Sequence, residues 1–285
     1  MILSFHPCFD ADVQIILADR PVNSSHHNLI RKAEAIILPQ GCPVQLFRAC
    51  SSSRAFVFPN YETRFKYPGK IGQSLLFREF GYPHPETLSW SSVKEFKEQY
   101  SDNRRLPHAL PFLVKEDKSH EAEGVCFVED RLSLFDALAH LSNLEKSGIS
   151  GFVTQAYVPS GGNVLRVVII GQRVFSYWKR PSKAGELITT ISRGALIDHR
   201  WRPDLQEEGI RQTQALCGKT GINLAAIDLV FPLTLEGPEP LLLEINYFFA
   251  RRGLGGIQNY YQLLYQAIQE WLSEKGLNPK SVSLL

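Results

Sequence analysis

Three oxygen-bearing side chains lie within a short span near the C-terminal end. Asp228 sits inside Leu224-Ala225-Ala226-Ile227-Asp228-Leu229-Val230-Phe231, and Glu244 and Asn246 follow in Leu241-Leu242-Leu243-Glu244-Ile245-Asn246. Two carboxylates and an amide are hard donors, suited to Mg²⁺ that completes its shell with water and phosphate oxygens. The same residues equally fit a hairpin end with solvated polar groups. Cations form the second chemical feature. Lys70 precedes an apolar helical pattern, Lys115 ends the run Phe112-Leu113-Val114, and Arg166, Lys179 and Arg180 punctuate apolar strands. Arg193 closes another run, and Arg251-Arg252 precede Gly253-Leu254-Gly255-Gly256. Guanidinium forks suit bidentate capture of carboxylate or phosphate. Scattered strand charges also serve simply to face water at sheet edges.

The two acid-bearing runs read as strands. Alternation with a period of two puts Leu242, Glu244 and Asn246 on one face. The connection Pro232 to Pro240 carries Gly237 and three prolines, which is turn chemistry. Pairing Phe231 with Leu241 sets Asp228 opposite Glu244, and facing like charges call for something positive between them. Ile71, Leu75 and Phe77, with Gly81 as a stop, mark a helix that Lys70 opens. A cation beside the first N–H groups of a helix is unfavourable unless an anion is bound there; the plain alternative is a solvated lysine. Lys115 leads into the loop Asp117 to Gly124 and a strand Val125 to Val128, the layout of a phosphate flap, although the loop is poor in glycine.

The remaining elements follow from periodicity. A helix is expected over 133–147, with Leu134, Leu138, Leu141 and Leu144 on one face and Gly148 ending it. Phe152 to Pro159 reads as a strand, Asn163–Ile170 and Arg173–Arg180 as a hairpin, and Leu187 to Arg193 as a further strand. Asp204 to Glu207 resembles a capping box opening a helix to about Lys219, and a last helix spans Gln258 to Trp271. Residues 1 to about 60 read as a small α/β unit with strands Val13–Ala18, Ala35–Leu38 and Phe56–Phe58 and a helix capped by Ser24 or Ser25. Adjacent His26 and His27 point about 100° apart on a helix and do not chelate.

The bulk properties exclude several classes. The 285 residues carry a net charge of +2 with scattered Lys and Arg, which argues against nucleic acid. Five cysteines (8, 42, 50, 126 and 217) form no CxxC pair, which fits a reducing cytoplasm. No apolar run approaches a membrane span, and the first residues lack a basic leader. Cys217-Gly218-Lys219-Thr220 lacks the first glycine of a P-loop, because position 213 is Thr. Gly253-Leu254-Gly255-Gly256 fails the dinucleotide fingerprint at Gln258, and no GxSxG elbow exists.

From about Phe65 to Gly256 the chain resembles the ATP-grasp superfamily, in particular its RimK-like branch, which ligates amino acids to carboxylates. Lys70 with Gly81 looks like that family's first lysine and helix-ending glycine. Lys115 resembles the lysine that contacts the α/β-phosphates, and Gln155, Ala156, Tyr157 and Val158 the hinge whose backbone reads adenine. Arg166 and Arg180, with Lys179 beside it, resemble cations of the nucleotide site, and Arg193 the arginine of the Asn-x-x-Arg-Gly-Gly segment. Asp228, Glu244 and Asn246 resemble the metal triad. Departures are Ala156 for an acidic hinge residue, Asn163 one place off the ribose-contacting acid, and Thr190 and Ala195 for Asn and Gly.

The resemblance implies an α+β ATP-grasp fold: a short N-terminal α/β lobe over 1–64, then an ATP-grasp domain over 65–285 with sub-lobes roughly 65–158 and 159–285. It implies a carboxylate–amine ligase working through an acyl-phosphate and releasing ADP and phosphate. A small-molecule kinase and a nucleotide-binding module without turnover are the alternatives. The implied cofactors are ATP and one or two Mg²⁺ ions, with Mn²⁺ as a substitute. The implied partners are a small-molecule or peptide acid and an amine, with no nucleic acid or membrane, and a homodimer is left open. Arg251 and Arg252, beside the metal residues, are expected where the acid meets the γ-phosphate, with Arg193 as a further catalytic cation.

Overall fold

The computed structural model describes residues 1–100, 105–119, 124–183, 194–233 and 239–285. The expected strand Leu187 to Arg193, and Arg193 with it, lies outside them. Among the described residues no helix is long and apolar enough to cross a membrane.

Short, mostly apolar runs build a parallel sheet first. The N-terminal unit around it holds β1 (Ile2–Ser4), β2 (Phe9–Asp10), β3 (Val13–Gln14), α1 (Ser24–Lys32), β4 (Ala35–Ile37), α2 (Val44–Ser51), β5 (Phe56–Phe58) and α3 (Glu62–Lys66). The strand order is β3-β1-β4-β5. The strand expected over Val13–Ala18 stops at Gln14, because the chain turns: Ala18 takes φ 50° and the Arg20 N–H donates to the Leu17 carbonyl. The cap of α1 is Asn23, not a serine. Its side chain accepts from the His26 N–H while His26 Nδ1 accepts from the Asn23 N–H, a reciprocal box that gives His26 a structural task.

The second unit holds α4 (Gly69–Glu79), β6 (Thr87–Trp90), α5 (Val93–Gln99), β7 (Phe112–Glu116), β8 (Val125–Val128), α6 (Arg131–Lys146) and β9 (Phe152–Ala156), with sheet order β6-β9-β7-β8. The apolar face of α4 is not the expected one, since Leu75 is 47% exposed while Leu76 and Phe77 are buried. The row Gly72–Leu76 turns inward because Gly72 lies against the Tyr67 backbone, where an added Cβ would fall 2.3 Å from the carbonyl carbon. In α6, Leu134, Leu138 and Leu141 pack on Phe112, Val114 and Phe152 as the periodicity requires.

The third unit is antiparallel: β10 (Val164–Ile170), β11 (Arg173–Arg180), β12 (Leu196–Asp198), α7 (Pro203–Thr220), β13 (Leu224–Val230) and β14 (Leu241–Asn246), in sheet order β12-β11-β10-β13-β14. It is followed by α8 (Ile257–Glu274) and β15 (Ser283–Leu284), which pairs with β2. Asp204 does not cap α7. The helix starts at Pro203 after Arg202 in a left-handed conformation, and Asp204 pairs with the Arg202 guanidinium.

The hairpin of β13 and β14 pairs Val230, not Phe231, with Leu241, yet Asp228 still faces Glu244. A bulge reconciles the two by leaving Leu243 unpaired. It also breaks the alternation, so Leu242 turns into the core with Ile245 instead of sharing the face of Glu244. One core joins the N-terminal sheet to this hairpin through Leu3, Ile36, Leu165, Ile227, Leu242 and Ile245. The opposite sheet face buries Val168, Ile170 and Ala226 against Tyr260, Leu264 and Ile268 of α8.

Candidate functional site

The start of α4 faces β14 across a cleft of about 340 Å³, whose walls include Lys70, Ser119, Glu244, Asn246 and Phe248. Gln73 fixes the helix against the strand: its amide donates to the Ile245 carbonyl and accepts the Ile245 N–H, each at 2.8 Å. A second tie comes from the loop after β7. The Asp117 carboxylate accepts the Ile71 N–H at 2.9 Å and the Asp117 carbonyl accepts the Lys70 N–H at 3.0 Å. Gly69 permits this approach, since a Cβ there would fall 2.3 Å from Asp117 Oδ1, and its φ of +69° suits glycine. The anion expected at the helix start is therefore Asp117, and Lys70 extends past it to Ser119, donating to the carbonyl at 2.8 Å and the hydroxyl at 3.2 Å.

Lys115 reaches a smaller cavity shared with Lys70, Gln73, Gln155 and Glu244. Its ammonium donates to Gln155 Oε1 at 2.5 Å, and Gln155 Nε2 donates to Thr87 Oγ1 at 2.9 Å. Burial pushes the Lys115 ammonium down to about 8; Glu244 opposes that and Lys70 adds to it. A buried ammonium with one neutral acceptor retains donors for an anion. The rest of the expected hinge is less open. The Ala156 N–H is already given to the Glu86 carbonyl at 2.9 Å, which removes it from the adenine readers, and Tyr157 packs edge-on against Phe127. Val158 follows beyond the end of β9.

Arg166 and Lys179 neither line an open anion pocket nor face water. Arg166 stands opposite Asp228 in the β10–β13 register and grips it bidentately, Nε to Oδ1 at 2.8 Å and Nη2 to Oδ2 at 2.7 Å. Lys179 adds Nζ to Oδ2 at 2.9 Å, and Asn246 Nδ2 lies 3.2 Å from the same oxygen. Burial alone would raise the Asp228 carboxyl, but Arg166 and Lys179 hold it well below the ordinary carboxylate range. The positive charge expected between Asp228 and Glu244 is thus supplied by the chain. As it stands, Asp228 does not fit a metal, because its oxygens are filled by cationic donors. Glu244 and the Asn246 amide oxygen do fit one. Among the described residues no three His, Cys, Asp or Glu side chains form a metal cage, so an ion here needs phosphate and water oxygens, as Mg²⁺ tolerates.

The other expected cations separate. Arg180 pairs with Asp198 at 2.8 Å and lies over the Trp201 ring, half-exposed. Arg252 is exposed, whereas Arg251 lies over Tyr260 and Tyr261 and reaches Gln40 of the N-terminal lobe. Gly253 sets this turn tightly on Tyr177, whose ring leaves no room for a side chain there. Cys42 and Cys50 are buried and Cys217 is half-buried, each with its thiol pushed up to about 12, so none of these three is a ready nucleophile. Sequence reasoning missed Asp117, Gln73, His6 and Gln40. For the last two the available signal was a polar residue two or three positions beyond a buried parallel strand.

No family model matches the chain. A probable α-L-glutamate ligase of Parasynechococcus marenigrum is 26% identical over 250 residues, covering 84% of this chain and 49% of the relative. The β-citrylglutamate synthase B of Danio rerio is 28% identical over 151 residues, 53% of this chain and 35% of the relative. The chain thus spans half or less of the length of these relatives. Among solved structures, a RimK domain ATP-grasp protein of Sphaerobacter thermophilus superposes with a TM-score of 0.57 at 14% identity, covering 92% of this chain and 97% of the other. The D-alanine–D-alanine ligase of Bacillus anthracis gives 0.60 at 14% identity, covering 93% and 86%. The chain has the ATP-grasp fold of these structures and is similar over most of its length to a probable α-L-glutamate ligase.

Proposed function

We propose that the chain is an ATP- and Mg²⁺-dependent carboxylate–amine ligase whose sub-lobes, 65–158 and 159–285, clasp the nucleotide. The observation that carries this reading is the convergence of Lys70 and Lys115 on Glu244, in a cavity that shares Lys70, Gln73 and Glu244 with the cleft, in an ATP-grasp fold. The two ammonium groups bind the phosphate chain, and the hinge from Gln155 to Val158 receives the base, with Tyr157 and Val158 offering backbone groups. Arg193, outside the described residues, is the further cation of this reading, and Arg180 joins it only by leaving Asp198. Glu244 and Asn246 hold Mg²⁺, which neutralises charge on the transferring phosphoryl group when bound. Arg166 and Lys179 act from behind, by fixing Asp228 and through it Asn246.

In the first step a carboxylate oxygen of the acid attacks the γ-phosphorus and ADP leaves. In the second, the amine nitrogen attacks the acyl carbon and phosphate leaves. No side chain changes its covalent state, so the chain's contribution is positioning and electrostatic stabilisation. Arg251 orients the acid, and Arg252 stands at the mouth. The names of the relatives favour an amino acid as one substrate. The test measures ADP and free phosphate separately, with condensed product followed by mass, against amino acids paired with small and peptide acids. Equal ADP and phosphate with a condensed product is expected. ADP with a phosphorylated product and no free phosphate would make the protein a kinase, and no ADP with any pair would leave a binding module.

A further inference from the structure

The N-terminal sheet brings a second polar group to one point. In the order β3-β1-β4-β5 the chain leaves β1 toward one side and returns to β4 on the other. The carboxyl ends of β1 and β4 therefore flank the position where the winding reverses, where a crevice opens in parallel sheets and ligands bind. His6 follows β1 and Gln40 follows β4, and they are 4% and 5% exposed. Arg251 descends on them from the glycine turn, its guanidinium 4.8 Å from the Tyr260 ring centre and 5.2 Å from that of Tyr261.

The hydrogen bonds show which atoms are spoken for. Gln40 Oε1 lies 3.4 Å from Arg251 Nη2 and 3.3 Å from the Tyr260 hydroxyl. Arginine only donates, so the amide oxygen must face it and Gln40 Nε2 points away. That nitrogen is buried without a partner, and so is Arg251 Nε. The Cys8 N–H donates to His6 Nδ1 at 3.1 Å, which leaves the proton of the neutral ring on Nε2. Burial and Arg251 together keep the ring neutral, lowering its pKa to about 4. His6 also lies against Tyr261, at 5.9 Å between ring centres. Around the Tyr260–Tyr261 pair there are thus three N–H donors, one of them in the Arg251 guanidinium, and among the described residues no carboxylate pairs with Arg251. Leaving a buried donor unsatisfied costs about 1–3 kcal/mol. An ammonium is disfavoured here by the Arg251 charge, which already occupies the Tyr260 and Tyr261 faces, and the amide oxygen of Gln40 already serves two donors.

We propose that His6, Gln40 and Arg251 form a carboxylate-binding pocket at the switch point of the N-terminal sheet, and that it holds a carboxylate of the acid substrate other than the one activated. The inference rests on the ligase reading. Arg64 and Phe248 join the two regions: both line the cleft, Arg64 donates to the Gln40 carbonyl at 3.0 Å, and Arg251 lies 6.0 Å from the Phe248 ring. A reacting carboxylate belongs in the cleft beside Lys70 and Glu244, so a carboxylate held behind Arg64 and Phe248 is a second one. The substrate class is therefore a diacid, or an amino acid or peptide that presents two carboxylates.

The test titrates the full chain, with a non-hydrolysable ATP analogue and Mg²⁺, with succinate, glutarate and adipate, each beside the monocarboxylate of equal chain length. At least one diacid should bind about tenfold more tightly than its monoacid, the gain of one charge-assisted contact. Gln40→Leu and Arg251→Lys should each lose that preference, with the analogue bound as before. Equal binding of every pair, a preference kept in both variants, or inorganic phosphate competing as well as the diacid would overturn the pocket. Phosphate release is read on parallel samples in which ATP and an amino acid replace the analogue. Diacid binding without release fails the ligase reading alone, whereas release supported equally by monoacids and diacids fails the pocket alone.

Discussion

Arg166 and Arg251 are both guanidinium groups set deep against packed side chains, and they are satisfied in opposite ways. Around Arg166, Asp228 returns a full negative charge through two short bonds, and Lys179 shares it. Around Arg251 the partners are an amide oxygen at 3.4 Å and aromatic faces, with Nε unpaired. The first meets its guanidinium with a carboxylate of the chain, without any solute. The second is complete only when something anionic arrives. A cation's residue type does not separate structural from binding roles, but the state of its acceptors does.

The strongest way to break that contrast is Asp228→Ala, which leaves two buried cations without counter-charge and should cost about 3–5 kcal/mol in urea unfolding; a wild-type midpoint would show that the cluster is not self-sufficient. Next in size is a pH effect at His6. Its folded pKa lies below the ordinary value, near 4 against 6.5, so the unfolded chain binds the extra proton between those limits. Stability should therefore fall by up to roughly 3 kcal/mol as pH drops through that window, and His6→Phe should flatten this slope. Glu244→Gln and Lys70→Met come third, each lowering Mg·ATP affinity about tenfold by calorimetry with the urea midpoint nearly unchanged. The smallest stability change is expected for Arg251→Lys, less than about 1 kcal/mol, together with a clear loss of turnover because the fork is gone. If Arg251→Lys destabilised the chain as much as Asp228→Ala, the two regions would be alike after all.

Much of the scaffold was legible because strand and helix periods are local. The leucine face of α6 follows from a few residues, whereas the facing of Asp228 and Glu244 was reached through a Phe231–Leu241 pairing that the structure replaces with Val230–Leu241 and a bulge. The bulge at Leu243 was not legible, since its place is set by tertiary pressures: Ile245 must meet Gln73 and enter the core while Glu244 faces the cleft. The same holds for Asp117, which completes α4 from 46 residues away. Helix α2 begins after Pro43 with no side-chain cap, and β6 is four residues long, so neither announces itself. Of the site, the acids and lysines stood out as polar residues in apolar runs. That Asp228 is consumed by Arg166 and Lys179, however, depends on the β10–β13 register, which no local pattern encodes.

Gln73 carries a further consequence. β14 ends its sheet, and a terminal strand normally offers its backbone to any passing strand. Here the Leu242 N–H is given to the Pro83 carbonyl, and Ile245 exchanges both of its backbone bonds with the Gln73 amide, which presents the same donor and acceptor as a peptide group. The side chain thus stands in for the missing neighbour. A second copy could extend the sheet at β14 only by prising α4 away, and Lys70 would leave with it, so self-association through that margin and an assembled cleft exclude one another.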